Sequence, residues 1–345
     1  MGGKMWWRSR VLSVNLKSAI QKRPRGPKWL GLSVLAFVLV VAGAAAEAQQ
    51  PNKIYRIGVL TNAPRSSRIE AFRQGMKELG YVEGKHFTLE IRRAEEKPDQ
   101  HPKLAAELVG LPVDVIVADS TALTNAARNA TKTIPIVMQA GNPVAVGLVA
   151  SLARPGGNIT GLTSMSGELG GKNLELLKEV APKVSRVAVP MPEGENSKLY
   201  MKQTEAPARA LGVQLIPLVI RQPDELERAL LSITKERANG ILSRLGTNPI
   251  QLLRLIEFAN KNRLPAIYES TGTEAGGLIS YGTDRDYIWR RFAIYVDKIL
   301  KGANPGDLPV EQPTKFELAI NLKTAKQIGL SIPPNVLVRA DKVIK

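Results

Sequence analysis

Apolar positions along the chain form two alternating patterns, short aliphatic runs and longer segments with an apolar residue every three or four positions. The first pattern is typical of buried strands and the second of amphipathic helices. Their alternation favours a parallel sheet covered by helices on both faces. In the first half, we predict strands at Ile54–Leu60, Phe87–Ile91, Val113–Ala118 and Ile134–Met138, and helices at Arg68–Leu79, Leu104–Val109 and Leu123–Ala130.

The second half repeats this pattern. Corresponding positions, such as Leu79-Gly80 and Leu211-Gly212, are separated by about 130 residues. A nearly constant separation indicates two similar α/β lobes. The predicted strands are Arg186–Val189, Val213–Ile220, Gly240–Ser243 and Pro265–Tyr268, and the predicted helices are Leu199–Leu211, Asp224–Lys235 and Leu252–Asn260.

Further elements follow the second lobe, including a helix near Ile288–Lys301, a Gly- and Pro-rich linker and a strand at Phe316–Leu322. A chain with elements left after two lobes should cross back between them. We therefore expect an α/β fold of two Rossmann-like lobes with parallel sheets, joined by a multi-strand hinge. The predicted boundaries are 53–162 plus 283–312 for lobe 1, and 163–282 plus 313–345 for lobe 2.

The N-terminal segment has the three parts of a secretory signal peptide. A basic region precedes the uncharged apolar run Trp29–Ala46, and the small-x-small site Ala46-Glu47-Ala48 follows it. An uncleaved membrane anchor is the alternative, because this run approaches bilayer thickness. We predict that residues 1–48 are a signal peptide or an N-terminal membrane segment and that the rest of the chain is exported to the periplasm.

The net charge of +17 at first suggests a nucleic-acid partner. Eight of the 48 basic residues and one of the 31 acidic residues lie in 1–48, however, which leaves 40 and 30 in the rest of the chain. Those charges are scattered, without the compact basic run and interleaved aromatics of a nucleic-acid surface. We expect no nucleic-acid partner, and we expect a monomer.

The sequence offers little for catalysis or for a cofactor. Cysteine is absent, which excludes disulfides and thiolate metal sites. The two histidines, His86 and His101, are interpreted as solvated rather than catalytic. The segment Gly167–Asn173 lacks the glycine spacing and the hydroxyl residue of a phosphate loop. We therefore predict a binding protein that is not an enzyme and has no cofactor or metal.

In open parallel sheets, ligands bind beyond the carboxyl ends of the strands. Small polar, amide and charged residues follow most predicted strands here, in turns such as Glu193–Ser197, Arg244–Thr247 and Glu269–Thr271. Ser, Thr, Asn and Asp also cap helices, so each is open to a purely structural interpretation. The predicted ligand-binding residues are Thr61, Asn62, Asp119, Ser120, Thr121, Gln139, Asn142, Asn196, Ser197, Arg244, Glu269 and Tyr281.

Several stretches agree in order with one known family. They are Ile134–Val137, Asn142–Val149, Arg154–Gly161, Leu308–Leu318, Asn321–Lys326, Ile332–Pro334 and Arg339–Ile344. In these stretches the chain resembles the ABC-transporter substrate-binding proteins of the tryptophan/tyrosine-receptor type. The resemblance extends roughly from Tyr55 to Lys345.

The resemblance implies a type I periplasmic-binding-protein fold. It implies a protein that closes the cleft between its lobes on a small polar or amino-acid-like ligand and delivers it to the membrane permease of an ABC importer with its ATPase. It implies a pocket between the lobes, formed by the Ser120-Thr121, Gln139–Asn142 and Glu193–Ser197 turns. Asp119, Arg244 and Glu269 depart from the less charged residues expected in aromatic amino-acid receptors. Two alternatives are a sensing receptor of the same fold and an exported enzyme using carboxylates such as Glu269 and Asp284.

Overall fold

The computed structural model describes residues 53–62, 67–94, 97–164, 166–222, 224–245, 249–269 and 272–345. The predicted signal peptide or membrane segment, 1–48, lies outside these residues, as do the ends of the turns at 246–247 and 270–271. Within the described ranges, no helix is both long enough and apolar enough to cross a membrane.

The first lobe is built on a five-stranded parallel sheet with the order β2-β1-β3-β4-β5. One face, with Val115 and Val117, belongs to a core that includes Phe72 and Trp289. The other face, with Ile116, belongs to a second core, which is completed by the helices on that side of the sheet. The elements are β1 (Tyr55–Thr61), α1 (Ser67–Glu78), β2 (Phe87–Arg93), α2 (His101–Val109), β3 (Val115–Ala118), α3 (Thr121–Ala130), β4 (Ile136–Ala140) and β5 (Ile159–Thr163), with a 3-10 turn at Pro98–Gln100.

The second lobe contains a seven-stranded sheet with the order β12-β11-β10-β9-β8-β6-β7, in which only the β10–β11 pair is antiparallel. Helices again cover both faces, with Val187 in one core and Ala188 in the other. The elements are α4 (Ser166–Val180), β6 (Arg186–Pro192), α5 (Glu195–Ala210), β7 (Gln214–Ile220), α6 (Glu225–Lys235), β8 (Gly240–Ser243), α7 (Pro249–Lys261), β9 (Ala266–Tyr268), β10 (Ile279–Thr283), α8 (Arg285–Leu300), β11 (Phe316–Asn321), α9 (Leu322–Ile328), α10 (Pro334–Leu337) and β12 (Lys342–Ile344).

The chain returns to the first lobe after β10. Helix α8 packs on α1, where a side chain at Gly75 would overlap Ala293. Further along, Glu311 N–H donates to the Gly161 carbonyl at 2.9 Å, and Thr163 N–H donates to the Glu311 carbonyl at 2.9 Å. The chain then enters β11 of the second sheet. The fold is therefore α/β with two lobes and several crossings between them, while the residue boundaries of the lobes stay a prediction.

Strand β5 and helix α4 were not predicted from the apolar pattern. Gly161 lies inside β5 at φ +134°, where a Cβ would overlap the Met138 backbone. Helix α4 contains Gly170 and Gly171, where a side chain would collide with Thr204 and Pro207 of α5. Glycine is disfavoured in both kinds of element, but here it permits close backbone approach. The glycine-rich segment Gly167–Asn173 is therefore part of a packed helix.

Candidate ligand-binding site

The lobe 1 edge of the site lies where β1 and β3 end. Thr61 Oγ1 donates to Asp119 Oδ2 at 2.5 Å, and Asn62 N–H donates to Asp119 Oδ1 at 3.2 Å. Burial raises the pKa of the Asp119 carboxyl, and these two donors oppose that rise. The sequence prediction grouped these three residues at the strand ends, and the structure brings them into direct contact.

Arg68, at the start of α1, adds a positive charge near Asp119. Burial and repulsion from Arg285 lower the pKa of the Arg68 guanidinium to about 9, and Asp119 partly offsets both effects. Arg68 therefore stays protonated at neutral pH. It was not among the predicted site residues, because its position in an amphipathic helix pattern gives no sign that the side chain is near a strand end.

The start of α3 and the end of β4 meet through hydroxyl groups. Ser120 caps α3, its Oγ accepting from Leu123 N–H at 3.3 Å. Thr121 Oγ1 accepts from Gly141 N–H at 3.1 Å. Asn142 Oδ1 accepts from Ala145 N–H at 3.1 Å within its own turn. Ser120 therefore caps a helix, and Asn142 stabilises its own turn.

The lobe 2 edge is centred on Arg244, which follows β8. Its Nε donates to Glu269 Oε1 at 3.0 Å, and its guanidinium carbon lies 4.2 Å from the centre of the Tyr200 ring. The Arg244 side chain is only 10% exposed and that of Glu269 22%. The sequence prediction missed Tyr200, which lies one helical turn beyond Asn196 on α5 and is fully buried. The ring and the carboxylate together hold the guanidinium in place.

The two edges touch through Asn196. Its Nδ2 donates to Thr121 Oγ1 at 2.9 Å, and its backbone carbonyl accepts from Arg244 Nη1 at 3.4 Å. The side-chain oxygens of Asn62 and Asn196 are buried and have no hydrogen-bond partner among the described residues. A buried amide oxygen without a partner is unfavourable, so such groups are expected to face a binding partner.

Besides Ser120 and Asn142, whose described side-chain contacts are local, three predicted residues are not brought into this contact network. Tyr281 stacks on Phe316 with ring centres 6.0 Å apart, and Ser197 is buried in the first turn of α5. Gln139 is half-buried in β4, paired in register with Leu162. None of the three has a described polar side-chain contact with Asp119, Asn196 or Arg244.

Neither histidine joins the site. His86 accepts from Val82 N–H at 2.8 Å through Nδ1, in a turn at the edge of lobe 1. His101 is only 7% exposed, so the interpretation of His101 as solvated was wrong, and burial lowers the pKa of its imidazole. Within the described ranges, no group of three or more His, Cys, Asp or Glu side chains is placed to hold a metal ion.

A separate open groove of about 550 Å³ lies along α7. It is lined by Ile250, Leu253, Arg254 and Asn260 among others, and the first two are largely exposed. It contains none of the predicted site residues. Polar groups converge at the strand ends instead, which makes the space between the lobes the better candidate for a small polar ligand.

Two α/β lobes whose strand ends meet, with charged and amide side chains on both sides, define a binding protein of the periplasmic type I class. The model of the family described as ABC transporter substrate binding protein matches residues 57–344. The chain belongs to this family of solute-binding proteins, which act outside the cytoplasm as components of ABC transporters.

Individual relatives agree with this assignment. A curated relative, the tyrosine-binding protein of Clostridioides difficile, is 29% identical over 271 residues, which cover 76% of each chain. A conserved domain protein from Vibrio cholerae has a similar solved structure, with a TM-score of 0.78, 31% identity and coverage of 84% of this chain and 100% of that one. A Streptococcus pneumonia ABC domain in complex with L-Trp has a TM-score of 0.77 at 23% identity, covering 85% of this chain and 100% of that one.

Proposed function

We propose that this protein binds a small zwitterionic solute, amino-acid-like in its charged groups, and delivers it to an ABC permease and its ATPase. The observation that carries the proposal is a set of oxygen acceptors, which Asp119 and Asn62 of lobe 1 and Asn196 of lobe 2 provide. The Thr61 hydroxyl and the Asn62 backbone N–H hold the Asp119 carboxylate, and the side-chain oxygens of Asn62 and Asn196 have no hydrogen-bond partner among the described residues.

An ammonium group fits these acceptors. It has three N–H donors and one positive charge, and it needs acceptor oxygens rather than donors. Asn62 Oδ1 and Asn196 Oδ1 supply two neutral acceptors, and Asp119 supplies a third with a charge. A charge-assisted hydrogen bond to Asp119 also compensates for the burial that raises its pKa.

A carboxylate fits Arg244. The Nε and Nη1 groups of Arg244 are used by Glu269 and by the Asn196 carbonyl, whereas Nη2 has no partner among the described contacts. An anionic group at Nη2 would bind a guanidinium that Tyr200 already holds in position. Little side-chain entropy would then be lost on binding.

Ligand contacts on both edges would favour the closed arrangement of the lobes, because closure brings Asp119 and Arg244 to the same solute. The permease would then recognise the closed form. We propose that the protein is a periplasmic monomer, exported through residues 1–48, and that it acts by binding without catalysis.

The names of two relatives support an amino-acid ligand. One relative is named for tyrosine, and one structural neighbour holds L-Trp. In this chain the Tyr200 ring is buried, with Arg244 over it, and is therefore not free to stack on an aromatic ligand. The contacts proposed for the solute are therefore those of its ammonium and carboxylate groups.

Isothermal titration of the purified protein, after removal of bound solute, tests the proposal. The panel contains the standard L-amino acids, together with the N-acetyl and the carboxamide derivative of each. We expect at least one free amino acid to bind, and we expect either derivative to bind at least tenfold more weakly. Binding only of uncharged sugars, or equal binding of the derivatives, would overturn the zwitterion proposal.

A further inference from the structure

Thr121 was predicted as a ligand-binding residue, but its hydroxyl oxygen is already engaged twice. It accepts from Gly141 N–H within lobe 1 at 3.1 Å and from Asn196 Nδ2 of lobe 2 at 2.9 Å. A hydroxyl oxygen has two lone pairs, so both acceptor positions are occupied. The Thr121 oxygen can therefore accept nothing from the solute, because it already holds Gly141 and Asn196, and only its O–H remains as a donor.

The first hydrogen bond fixes the position of the second. Gly141 N–H belongs to the turn after β4, and the Gly141 carbonyl accepts in turn from Thr163 Oγ1 at 2.8 Å. Three strand ends of lobe 1 are thereby linked to the Thr121 hydroxyl. Asn196 reaches this hydroxyl from the first turn of α5, where Arg244 Nη1 contacts its carbonyl.

We propose that Thr121 and Asn196 form a clasp between the lobes, with Thr121 as a positioning residue that holds the Asn196 amide across the cleft. The amide nitrogen binds lobe 1, which leaves the buried Oδ1 for a donor group of the solute. The clasp is independent of the solute; only its contribution to solute affinity rests on the proposed function. Closing the clasp would orient the amide before the solute donates to it.

Breaking one such hydrogen bond shifts an equilibrium by roughly threefold to tenfold. We therefore expect Thr121→Val to raise the ratio of open to closed molecules by that factor in the absence of solute. Thr121→Ser retains the hydroxyl and should restore the distribution seen in the unsubstituted protein. Thr124→Val is a matched control, because the Thr124 hydroxyl on the same helix donates to the Ser120 carbonyl within lobe 1.

The chain contains no cysteine, so paired spin labels can be placed without removing native residues. The pair Asn129→Cys and Gln203→Cys places labels on exposed positions of α3 and α5, the two helices that start at the clasp. The distance distribution between the labels, measured by pulsed electron resonance on solute-free protein, gives the open-to-closed ratio.

Asn196→Ala and the double variant with Thr121→Val complete a thermodynamic cycle. The clasp predicts that Asn196→Ala alone opens the protein and that Thr121→Val then adds nothing further. If Asn196→Ala leaves the distances unchanged, the clasp does not exist. If Thr121→Val opens the protein equally in both backgrounds, its effect comes through Gly141, and the clasp is likewise refuted. The Asn196→Ala variant alone tests whether the clasp exists, even if Thr121→Val does not fold.

Discussion

The two edges of the cleft hold their central charges differently. Asp119 of lobe 1 is held by a neutral hydroxyl and a backbone N–H, and the described contacts give it no ion pair within 4 Å. Arg244 of lobe 2 is held by the Glu269 carboxylate and the Tyr200 ring. The lobe 1 anion is thus fixed in position but not neutralised by contact, while the lobe 2 cation is both fixed and paired.

Because of this difference, we expect the two edges to contribute differently to solute binding. A buried carboxylate without a direct cation gains from an incoming ammonium group, so lobe 1 should supply charge selectivity. Lobe 2 presents a guanidinium whose geometry is already set, so it should supply orientation. Each edge can be altered separately.

The largest effect is expected from Arg244→Ala. This change removes the side chain proposed to donate to the solute carboxylate. It also leaves Glu269 without its partner, and the unpaired Glu269 carboxylate would repel an anionic group. Loss of one member of a buried charged pair weakens binding by about 2–5 kcal/mol, or about 30-fold or more. Isothermal titration with the bound amino acid measures this loss.

Arg254→Ala is the matched control for that experiment. Arg254 pairs with Glu227 and Glu257 on the exposed surface of α6 and α7. We expect its replacement to change affinity less than twofold. Equal losses for the two arginine variants would mean that lobe 2 acts through net charge and not through the proposed contact.

The next effect is expected from Asp119→Asn, which keeps the shape of the lobe 1 edge. The amide oxygen can accept from Asn62 N–H, and the amide nitrogen can donate to Thr61 Oγ1. Without the negative charge, we expect affinity for the amino acid to fall about tenfold. An unchanged affinity would remove Asp119 from the ammonium site.

The same variant should be more stable at neutral pH. Because the pKa of Asp119 is raised in the folded protein, the folded state binds the proton more readily than the unfolded state. The charged carboxyl therefore lowers stability as the pH rises through that raised pKa. Thermal unfolding should show Asp119→Asn a few degrees more stable at pH 7, with the difference disappearing in acid. A stability loss that is the same at every pH would contradict this account.

A third effect is the pH dependence of binding in the unsubstituted protein. Protonation of Asp119 removes the charge that holds the ammonium group, so affinity should fall as the pH falls through its raised pKa. The decline should begin above the range of an ordinary aspartate, about 3.9. Titrations at a series of pH values check this, and Asp119→Asn should show a flatter profile over the same range.

The smallest effect on binding is expected from Ser120→Ala. The Ser120 hydroxyl caps α3 through Leu123 N–H, so its loss should lower the free energy of unfolding by about 1 kcal/mol. Affinity should stay within about twofold, as measured by chemical denaturation and titration of the same sample. A large affinity loss without a stability loss would show that Ser120 contacts the solute directly.

Much of this arrangement could be predicted because strand ends are visible in the sequence. An aliphatic run that stops at Asp119 or Arg244 places a polar side chain at the edge of a parallel sheet. The family resemblance then predicted that the strand ends of both lobes line one cleft. The pairing of Arg244 with Glu269 was not predicted, since both merely follow neighbouring strands.

Strand β5 and helix α4 could not be predicted, because in both the packing overrides the local preference of glycine. Gly161 and the glycines of α4 are allowed by contacts with Met138 and α5 that no local pattern encodes. Arg68 and Tyr200 lie within helices whose apolar spacing gives no information about the opposite lobe. Asn196 was predicted as a ligand residue, but its contact with Thr121 depends on how the lobes meet.

A crystal structure of the protein with its bound amino acid tests the central claim most directly. The account predicts the ammonium group within hydrogen-bond distance of Asp119 and the amide oxygens of Asn62 and Asn196, with the carboxylate on Arg244. A solute held by one lobe alone, or bound in the groove along α7, would contradict it.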